Sequence, residues 1–452
     1  MNNKNEIRIK QILNGPIYKT LLKISLPLMT AFFANMMYQV VDMIFVAQLG
    51  KEYIAAMTLN LVPMHFAFAI FIGPSIGIAS LIARNIGAEN IGKANETAGH
   101  GITIWIFLTL FITFFALFWG KPLLRFLGGQ GEALNLAWEY LKIQAIFVFF
   151  SSMRIIFAGV LRGEGDSAKV MHILLFSAVS NIILDPIFIF GFGPVPKMGI
   201  RGASIATVIA NGLAALLVLI TLKKNKNLVK IDFSKIYFKL KYFLEIYRVG
   251  FSVTLQHFSM VVAMGFITGL VSTYGDTAIA AFGIGARLEM FVIIPMLGMG
   301  AGLLTVSGQN YGAKNFSRVK KFTYACIKLN ALTGFIIGLL LFIFAIPIVK
   351  LFNNSPDLIA KAKIFIRIYA VLYWIVGIGV SISHLFQGLG KGTISLILTV
   401  TRVGLIGVPL AYILSSCIGL TGIWYGLGAS GIISALFGLG FLFYHFKYKI
   451  RN

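Results

Sequence analysis

Long apolar stretches separated by short polar connections run through the whole of this 452-residue chain. A helix needs about 20 predominantly apolar residues to cross the hydrocarbon core of a bilayer, and twelve stretches are long enough. They lie at roughly 20–46, 54–82, 98–119, 135–158, 168–192, 200–222, 243–273, 279–306, 322–346, 360–386, 393–414 and 421–445. The pattern therefore predicts an all-α polytopic membrane protein with twelve transmembrane helices.

The composition also indicates a membrane protein, and this affects how the net charge is interpreted. The chain is 58% hydrophobic and 12% charged, with a mean hydropathy of +0.87, whereas soluble globular proteins carry about twice that charged fraction. The net charge of +24 would indicate nucleic acid as a partner of a soluble protein. Here the basic residues lie in the connections between apolar runs, so we expect membrane lipid around the chain and no nucleic-acid partner.

The distribution of lysine and arginine predicts the orientation of the spans. Basic residues are concentrated in alternate connections, in both termini and above all in the connection 223–242. Such an excess marks the cytoplasmic side of a membrane protein. We therefore expect a multi-pass protein of the inner (plasma) membrane with both termini in the cytoplasm.

The chain contains an internal repeat that relates its two halves at one constant offset. RNIGAEN at 84–90 matches QNYGAKN at 309–315, and LRGEGD at 161–166 matches FQGLGK at 386–391. Each half holds an even number of spans, so both halves enter the membrane from the same side. The repeat predicts two six-helix bundles related by a parallel pseudo-two-fold axis: an N-terminal lobe at 1–222, a cytoplasmic basic linker at 223–242 and a C-terminal lobe at 243–452.

Two acids lie deep inside apolar runs. Asp185 follows Ser177 and Asn181 at four-residue spacing, which stacks the three side chains on one helix face. Asp42 ends a polar stripe at i, i+3, i+4 and i+7 whose other members are Asn35, Tyr38 and Gln39. A charge at the bilayer centre costs at least about 2.5–3.5 kcal/mol, so such residues usually face a partner, an ion or water.

The polar groups around these acids suit two kinds of ligand. Thr207 and Asn211 add a further pair four residues apart on the sixth span. Carboxylate, amide and hydroxyl oxygens are ligands of hard cations such as sodium, whereas two carboxylates held close together would share a proton. A third interpretation is that the polar side chains only form hydrogen bonds between helices.

The repeat itself favours a functional role for the acids. At the offset of the repeat, Asp42 falls on Ile267 and Asp185 falls near Val408. Packing that is common to both halves therefore does not require a carboxylate at either position. The sequence contains no nucleotide-binding loop GxxxxGK[ST] and no nucleophile elbow. We therefore expect a protein that is not an enzyme, uses no cofactor and is driven by H⁺ or Na⁺.

Pro27 lies within the first span, fifteen residues before Asp42. A proline removes one helical hydrogen bond and permits a bend. A proline near the start of a helix is also common without any such role. Pro27 is thus a candidate hinge.

Several stretches resemble the multidrug and toxic compound extrusion (MATE) transporters, and the resemblance extends over almost the whole chain. The most specific stretches are LRGEGD and NIILDPIF, joined by LPLMTAFFANMMYQVVDMIFVAQLG and GIRGASIATVIAN. The resemblance implies a V-shaped pair of bundles that alternates between inward- and outward-facing states. It also implies the exchange of sodium or protons for cationic, amphipathic drugs.

The chain most resembles the archaeal and DinF-like branch of that family, in which the N-terminal lobe carries the coupling site. The resemblance then implies roles for individual residues: Asp42 and Asp185 as central acids, Asn181 and Thr207 as side-chain cation ligands, Ala203 as a backbone ligand, Tyr38 and Tyr140 as lobe-lining tyrosines, and Pro27 as the hinge. Asn35, Ser177 and Asn211 complete the predicted lining from their spacing alone. The acids of the NorM-like branch in the seventh and tenth spans are absent, with Gln256 in the seventh.

Two functional hypotheses follow. The first is a secondary antiporter that exports organic cations in exchange for an inorganic cation or proton. The second is a flippase for lipid-linked sugars, which shares the superfamily and would require a cavity ringed by basic residues. Within the spans the basic residues are few, chiefly Arg154, Arg287, Arg367 and Arg402, so we favour the antiporter. One chain supplies both bundles, so a monomer is sufficient.

Overall fold

The computed structural model describes residues 3–224, 227–232 and 237–449, and these residues are almost entirely helical. Within those ranges no strand occurs, and the extended pairing consists of one isolated bridge between Phe192 and Val195. Residues 225–226 and 233–236 of the predicted linker lie outside the described part of the chain. The all-helical prediction is confirmed.

The described residues of the first half form eight helices. They are α1 (Asn3–Asn14), α2 (Ile17–Ala47), α3 (Lys51–Gly87), α4 (Ile91–Phe126), α5 (Gly131–Ile146), α6 (Val148–Gly163), α7 (Ser167–Phe190) and α8 (Ile200–Lys223). The second half contains α9 (Leu240–Ser272), α10 (Asp276–Gly312), α11 (Phe316–Lys350), α12 (Pro356–Gly388), α13 (Gly392–Val400), a π-helix (Thr401–Gly407), α14 (Val408–Ile418), α15 (Leu420–Tyr444) and a second π-helix (His445–Lys449).

Eleven of the described helical stretches are long and apolar enough to cross a membrane. A twelfth span results if α5 and α6 are taken together, since they meet at an angle of 56°. This pair replaces the straight helix predicted at 135–158. Eleven of the twelve predicted spans thus correspond to continuous helical stretches, and the fourth corresponds to this pair, which is bent at Phe147.

The repeat seen in the sequence recurs in the backbone conformation. Glu89 and Lys314, which the repeat aligns with each other, both adopt the left-handed conformation, with φ of 60° and 57°. That conformation is unusual for residues other than glycine. In each half the next residue, Asn90 or Asn315, caps the following helix by accepting a hydrogen bond from the amide three residues on. The two halves therefore form the same turn between their second and third spans.

The chain divides into two compact units. Unit 1 comprises Met1–Ile9 and Thr30–Thr254, and unit 2 comprises Lys10–Met29 and Leu255–Asn452. The division therefore runs through two long helices, α2 and α9. The first part of each of these helices packs in a different unit from the second part.

Two glycines allow α9 and α2 to pack closely against their neighbouring helices. In unit 1, a side chain on Gly73 of α3 would collide with Gly250 and Thr254 of α9, and Thr254 Oγ1 donates a hydrogen bond to the Ala69 carbonyl at 3.0 Å. In unit 2, a side chain on Gly298 of α10 would collide with Met29 of α2. Small residues of this kind let helix backbones approach closely in membrane proteins. Gly73 and Gly298 also occupy equivalent positions in the repeat.

The halves differ in their fifth spans. In the first half, α7 is a continuous α-helix that carries Asp185. In the second half, the π-helix Thr401–Gly407 interrupts the corresponding span just before Val408. π-Helical segments change the register of the side chains that follow them. The repeat is therefore broken in conformation as well as in sequence at the position of the acid.

Candidate functional site

Asp185 lies at the centre of a buried polar cluster in unit 1. The residue is fully buried, and its Oδ1 accepts a hydrogen bond from Asn181 Nδ2 at 3.0 Å, one helical turn earlier. Asn181 Nδ2 also donates to Thr207 Oγ1 on α8 at 3.3 Å. The four-residue spacing on α7 thus places Asn181 where it joins the acid to the neighbouring helix.

Asp42 on α2 belongs to the same cluster. It is 6% exposed, and it is close enough to Asp185 for the two carboxylates to interact electrostatically. The structure therefore brings together two acids that lie on the first and fifth predicted spans, far apart in the sequence. We refer to Asp42, Asn181, Asp185 and Thr207 as the acid cluster.

Three oxygen atoms of the acid cluster are buried without a hydrogen-bond donor among the described residues. They are Asp42 Oδ1, Asp185 Oδ2 and Asn181 Oδ1. Nearly all buried polar atoms in proteins have a partner, and an unsatisfied buried acceptor is costly. A cluster of three such atoms is therefore suited to an additional positive partner, either a proton on a carboxylate or a small hard cation.

The donor types decide which metals fit this cluster. No group of three or more His, Cys, Asp or Glu side chains suited to a metal ion occurs in the described part of the chain. The acid cluster instead offers two carboxylates, an amide oxygen and a hydroxyl. These oxygen ligands match sodium better than the softer transition metals, which prefer nitrogen and sulfur.

The other predicted residues occupy different places around the acid cluster. Tyr38 lies within electrostatic range of both Asp42 and Asp185. Tyr140 is 1% exposed and contacts Thr207. Ala203 is fully buried, and Ser177 Oγ donates to the Ala210 carbonyl at 3.4 Å. Asn35 is half-buried on α2.

A cavity in unit 1 adjoins the acid cluster, and with its open mouth it encloses about 970 Å³. Its wall includes Tyr38 and Asn211, which the sequence predicts to line the lobe, and also Thr207, which the resemblance predicts to be a cation ligand. Most of the remaining wall is apolar and aromatic, with Phe66, Phe68, Phe71 and Phe115. Sites for drug-sized molecules are usually of this kind, apolar with a few placed polar groups.

Sequence reasoning gave no role in the site to one charged residue of this wall. Arg154 on α6 lines the cavity, and its Nε donates to Asn211 Oδ1 at 2.9 Å. An arginine in the middle of the apolar run IFVFFSSMRIIFAGV is a signal of its own. Only the fold, however, reveals that it faces the same cavity as Thr207 and Asn211.

A second cluster of charges lies outside the membrane-spanning helices, at the turn between α6 and α7. Arg8 of α1 contacts Asp166 and lies 3.5 Å from Glu164 Oε2, while Glu164 Oε1 accepts a hydrogen bond from the Val229 amide at 2.9 Å. Burial raises the pKa of Glu164 to about 7, although Arg8 and the Val229 amide oppose the rise. Burial also raises the pKa of Asp166, but Arg8 and Lys169 outweigh it, so this pKa is lowered.

Comparisons with known proteins agree with the fold and with these motifs. The family model MatE matches residues 27–187 and 250–413, which together make up more than half of the chain. The multidrug export protein MepA of Staphylococcus aureus (strain MSSA476) is 28% identical over 432 residues, covering 93% of this chain and 92% of MepA.

Solved structures give the same result. The outward-facing conformation of a multidrug resistance MATE family transporter of the MOP superfamily matches with a TM-score of 0.90 and 30% identity, covering 95% of this chain and 96% of that one. A MOP superfamily transporter from Pyrococcus furiosus Vc1 (DSM3638) matches with a TM-score of 0.90 and 29% identity over the same shares of the two chains.

The family model matches both halves of the repeat, and the structural match extends over nearly the whole chain. The helices are those of a multi-span membrane protein. The relatives are transporters and not enzymes. The chain therefore belongs to the MATE family of multidrug efflux transporters.

Proposed function

We propose that this protein is a secondary active antiporter that exports cationic, amphipathic compounds in exchange for protons or sodium by alternating access. The acid cluster holds the inorganic cation or proton, and the adjoining cavity holds the exported compound. Both termini lie in the cytoplasm, as the distribution of basic residues indicates. A single chain carries out the whole cycle.

The observation that carries this proposal is the set of buried acceptor oxygens without donors at Asp42, Asn181 and Asp185. One bound Na⁺, or one proton on either carboxylate, would satisfy part of this set. Release of the ion would leave the carboxylates charged and close together, which raises their free energy. Ion occupancy and the conformation of the lobe are therefore energetically linked.

Contacts across the site explain how the two ligands would compete. Thr207 belongs to the acid cluster through Asn181 and also lines the cavity. Asn211 lines the cavity and donates to the Thr207 carbonyl at 2.9 Å. A compound that binds in the cavity thus displaces side chains that the ion site also uses, and this coupling is what an antiporter requires.

The available gradients are sufficient for export. A pH difference of one unit supplies about 1.4 kcal/mol per proton, and a potential of 100 mV supplies about 2.3 kcal/mol per charge. Exporting a solute against a hundredfold concentration difference costs about 2.7 kcal/mol. A one-for-one exchange of a proton for a monovalent organic cation moves no net charge, so the potential contributes nothing and a pH difference of about two units is needed to reach 2.7 kcal/mol.

Pro27 would serve as the hinge in this cycle. It lies on α2 two residues before the boundary at which that helix leaves unit 2 and enters unit 1. Because a proline lacks the backbone donor, the helix is easier to bend there than elsewhere. A bend at Pro27 moves the part of α2 that carries Tyr38 and Asp42.

The proposal is tested by ethidium transport in vesicles that contain the purified protein. A proton gradient and a sodium gradient are imposed separately, each with and without an ionophore that collapses it. We expect ethidium to move against its own gradient under at least one of these conditions and to stop when the matching ionophore is added. Ethidium movement that no ionophore affects would contradict antiport.

The same assay separates an antiporter from a lipid-linked sugar flippase. A flippase should not move ethidium and would need several basic residues around its cavity to hold a pyrophosphate. In the described wall of the unit 1 cavity, Arg154 is the one basic residue. The wall therefore favours small aromatic compounds over a pyrophosphate.

A further inference from the structure

We propose that the connection between the two halves is fastened to unit 1 by a pH-sensitive contact, in which His100 of α4 holds the backbone of Lys239 only while its imidazole ring is neutral. A fall in pH on this face, which is cytoplasmic in the proposed orientation, would release the start of α9. This regulatory role goes beyond the proposed function and holds whichever ion is coupled.

The described residues of the basic connection lie against unit 1. The sequence predicts this segment as a linker between lobes, but two of its backbone amides donate to side chains of unit 1. The Val229 amide donates to Glu164 Oε1 at 2.9 Å, and the Lys230 amide donates to Asn95 Oδ1 at 2.8 Å. The connection is therefore a docked segment, held by individual side chains.

A second set of contacts fastens the residues just before α9 to one short stretch of α4. Thr103 Oγ1 donates to the Tyr237 carbonyl. The Tyr237 ring lies so close to Gly99 that a side chain at that position would collide with it. The Lys239 amide donates to His100 Nε2 at 2.8 Å. Of these contacts, the one at His100 depends on a group that titrates near neutral pH.

The hydrogen bonds of His100 determine its protonation state. A backbone amide can only donate, so Nε2 must carry a lone pair in order to accept from Lys239. Nδ1 lies 2.7 Å from the Glu96 carbonyl oxygen, which can only accept, so Nδ1 carries the proton. The ring is 2% exposed. It is therefore a buried, neutral imidazole with both nitrogens in use.

Protonation of Nε2 removes the contact with Lys239. An imidazolium donates at both nitrogens and accepts at neither. Nε2 and the Lys239 amide would then be two donors that face each other, and the amide would lose its acceptor. An amide left without an acceptor is unfavourable in a buried place, so the segment gains by moving away from α4.

The titratable groups that contact or act on His100 are Glu96 on its own helix, Tyr237 and Lys239 in the connection, and Tyr242 on α9. The ring stacks on Tyr242 at a centroid distance of 5.0 Å, and the Glu96 carboxylate acts on it electrostatically. Both groups stabilise a charged imidazole. The Lys239 ammonium, 2.8 Å from Glu96 Oε1, opposes them. The surroundings thus tolerate a charged ring, whereas the Lys239 amide does not.

The released residue leads directly into a helix that both units share. α9 begins at Leu240, and its first part packs in unit 1 while its second part packs in unit 2. The contacts of Val229 and Lys230 do not involve His100. Protonation of His100 would therefore loosen the first turn of α9 and leave the earlier part of the connection in place.

Hydrogen–deuterium exchange of the Lys239 amide tests this inference directly, because that amide is the donor in the contact. Exchange is measured on the purified protein in detergent at pH 8 and pH 5.5, with labelling times scaled for the intrinsic pH dependence of exchange. A free histidine side chain gains its proton near pH 6.5, so we expect protection of the wild-type amide to fall about tenfold between these conditions.

The Lys230 amide is the internal reference, since its acceptor Asn95 does not titrate, and its protection should stay the same. Glutamine offers one donor and one acceptor but gains no proton. We therefore expect the ratio of Lys239 protection at the two pH values to be close to one in His100→Gln. The matched control is His172→Gln, which removes an exposed histidine of α7 and should behave like the wild type.

Equal protection of the wild-type Lys239 amide at both pH values would overturn the inference. The same holds if His100→Gln loses as much protection at pH 5.5 as the wild type, or if Lys230 loses as much as Lys239, which would indicate a general loosening of the protein. If His100→Gln does not fold, the comparison of Lys239 with Lys230 in the wild type decides. Neither a gradient nor an exported compound is present, so a failure of antiport leaves this result unaffected.

Discussion

Asn181 donates a hydrogen bond of 3.0 Å to one carboxylate oxygen of Asp185, while the other carboxylate oxygen is buried without a donor among the described residues. The asparagine therefore orients the carboxylate and leaves one oxygen for another positive partner. Asp42 lies near enough to act on the same carboxylate electrostatically. Buried acids arranged in this way respond strongly to the arrival or loss of one charge.

Removal of the charge at this position should abolish coupling. We expect Asp185→Asn to reduce gradient-driven ethidium export to the level of protein-free vesicles, because an amide neither releases a proton nor attracts a cation. The variant should still be found in the membrane at normal abundance, since an amide retains the hydrogen-bonding capacity of the site. The control Asp357→Asn removes an exposed acid paired with Lys361 and should export normally. Normal export by Asp185→Asn would refute the coupling role.

The buried Glu164 predicts a dependence of stability on pH. Its pKa is raised from 4.5 to about 7, so the native state binds more protons than the unfolded state within that window. The stabilisation is fully present below pH 4.5 and is lost as the pH rises through 7. The contribution of Glu164 to the free energy of unfolding is at most on the order of 3 kcal/mol. Asp166, whose pKa is lowered, contributes in the opposite sense but only at lower pH.

This dependence can be measured by thermal unfolding of the protein in detergent between pH 5 and pH 8. We expect the melting temperature of the wild type to fall across this range and that of Glu164→Gln to fall less, since glutamine does not titrate. Glu132→Gln, at an exposed position, serves as the control and should follow the wild type. Identical pH profiles for the wild type and Glu164→Gln would show that Glu164 does not titrate in the native protein.

The close contact at Gly298 predicts a difference between two alanine substitutions in one helix. A side chain at Gly298 of α10 collides with Met29, whereas a side chain at Gly283 of the same helix meets no neighbour among the described residues. We expect Gly298→Ala to destabilise the protein by about 1–3 kcal/mol through overpacking. Gly283→Ala should be neutral or stabilising by up to about 1 kcal/mol. The measurement is the melting temperature of each variant. A melting temperature of Gly298→Ala equal to that of the wild type would contradict the close contact with Met29.

Replacement of the hinge proline should affect rates more than binding. In Pro27→Ala the backbone amide at position 27 can complete the helical hydrogen bond, so α2 becomes harder to bend. We expect slower turnover of ethidium with an unchanged dissociation constant. Pro347→Ala, in α11, is the control with a proline at another membrane helix. Unchanged turnover in Pro27→Ala would argue against a hinge at this residue.

The sequence alone predicted the spans, the repeat and the presence of two unusual acids. Each of these depends on a local rule. A bilayer requires apolar runs of fixed length, and a charge within such a run is conspicuous because it is costly. The four-residue spacing of Asn181 and Asp185 was also sufficient to predict that they share a helix face, and the structure shows them hydrogen-bonded.

Other features required the tertiary structure, because they depend on which helices become neighbours. The 56° bend at Phe147 has no proline in α5 or α6 that would predict it. The π-helix Thr401–Gly407 is followed by Pro409, which lacks a backbone donor, but a proline alone does not specify a π-helix. The sequence places a boundary between lobes in the polar linker, whereas compact packing divides the chain within α2 and α9. Each of these helices contacts a glycine that is distant in the sequence. In unit 1, α9 packs against Gly73, and in unit 2, α2 packs against Gly298.

Arg154 illustrates the difference most clearly. The sequence showed an arginine within a span, and such a residue can pair with an acid, reach the membrane surface or line a cavity. Packing against α8 decides between these possibilities, since Asn211 holds its Nε and turns the guanidinium toward the cavity. Local patterns thus determine which residues are exceptional in a membrane protein, and only the assembled helices determine what those residues face.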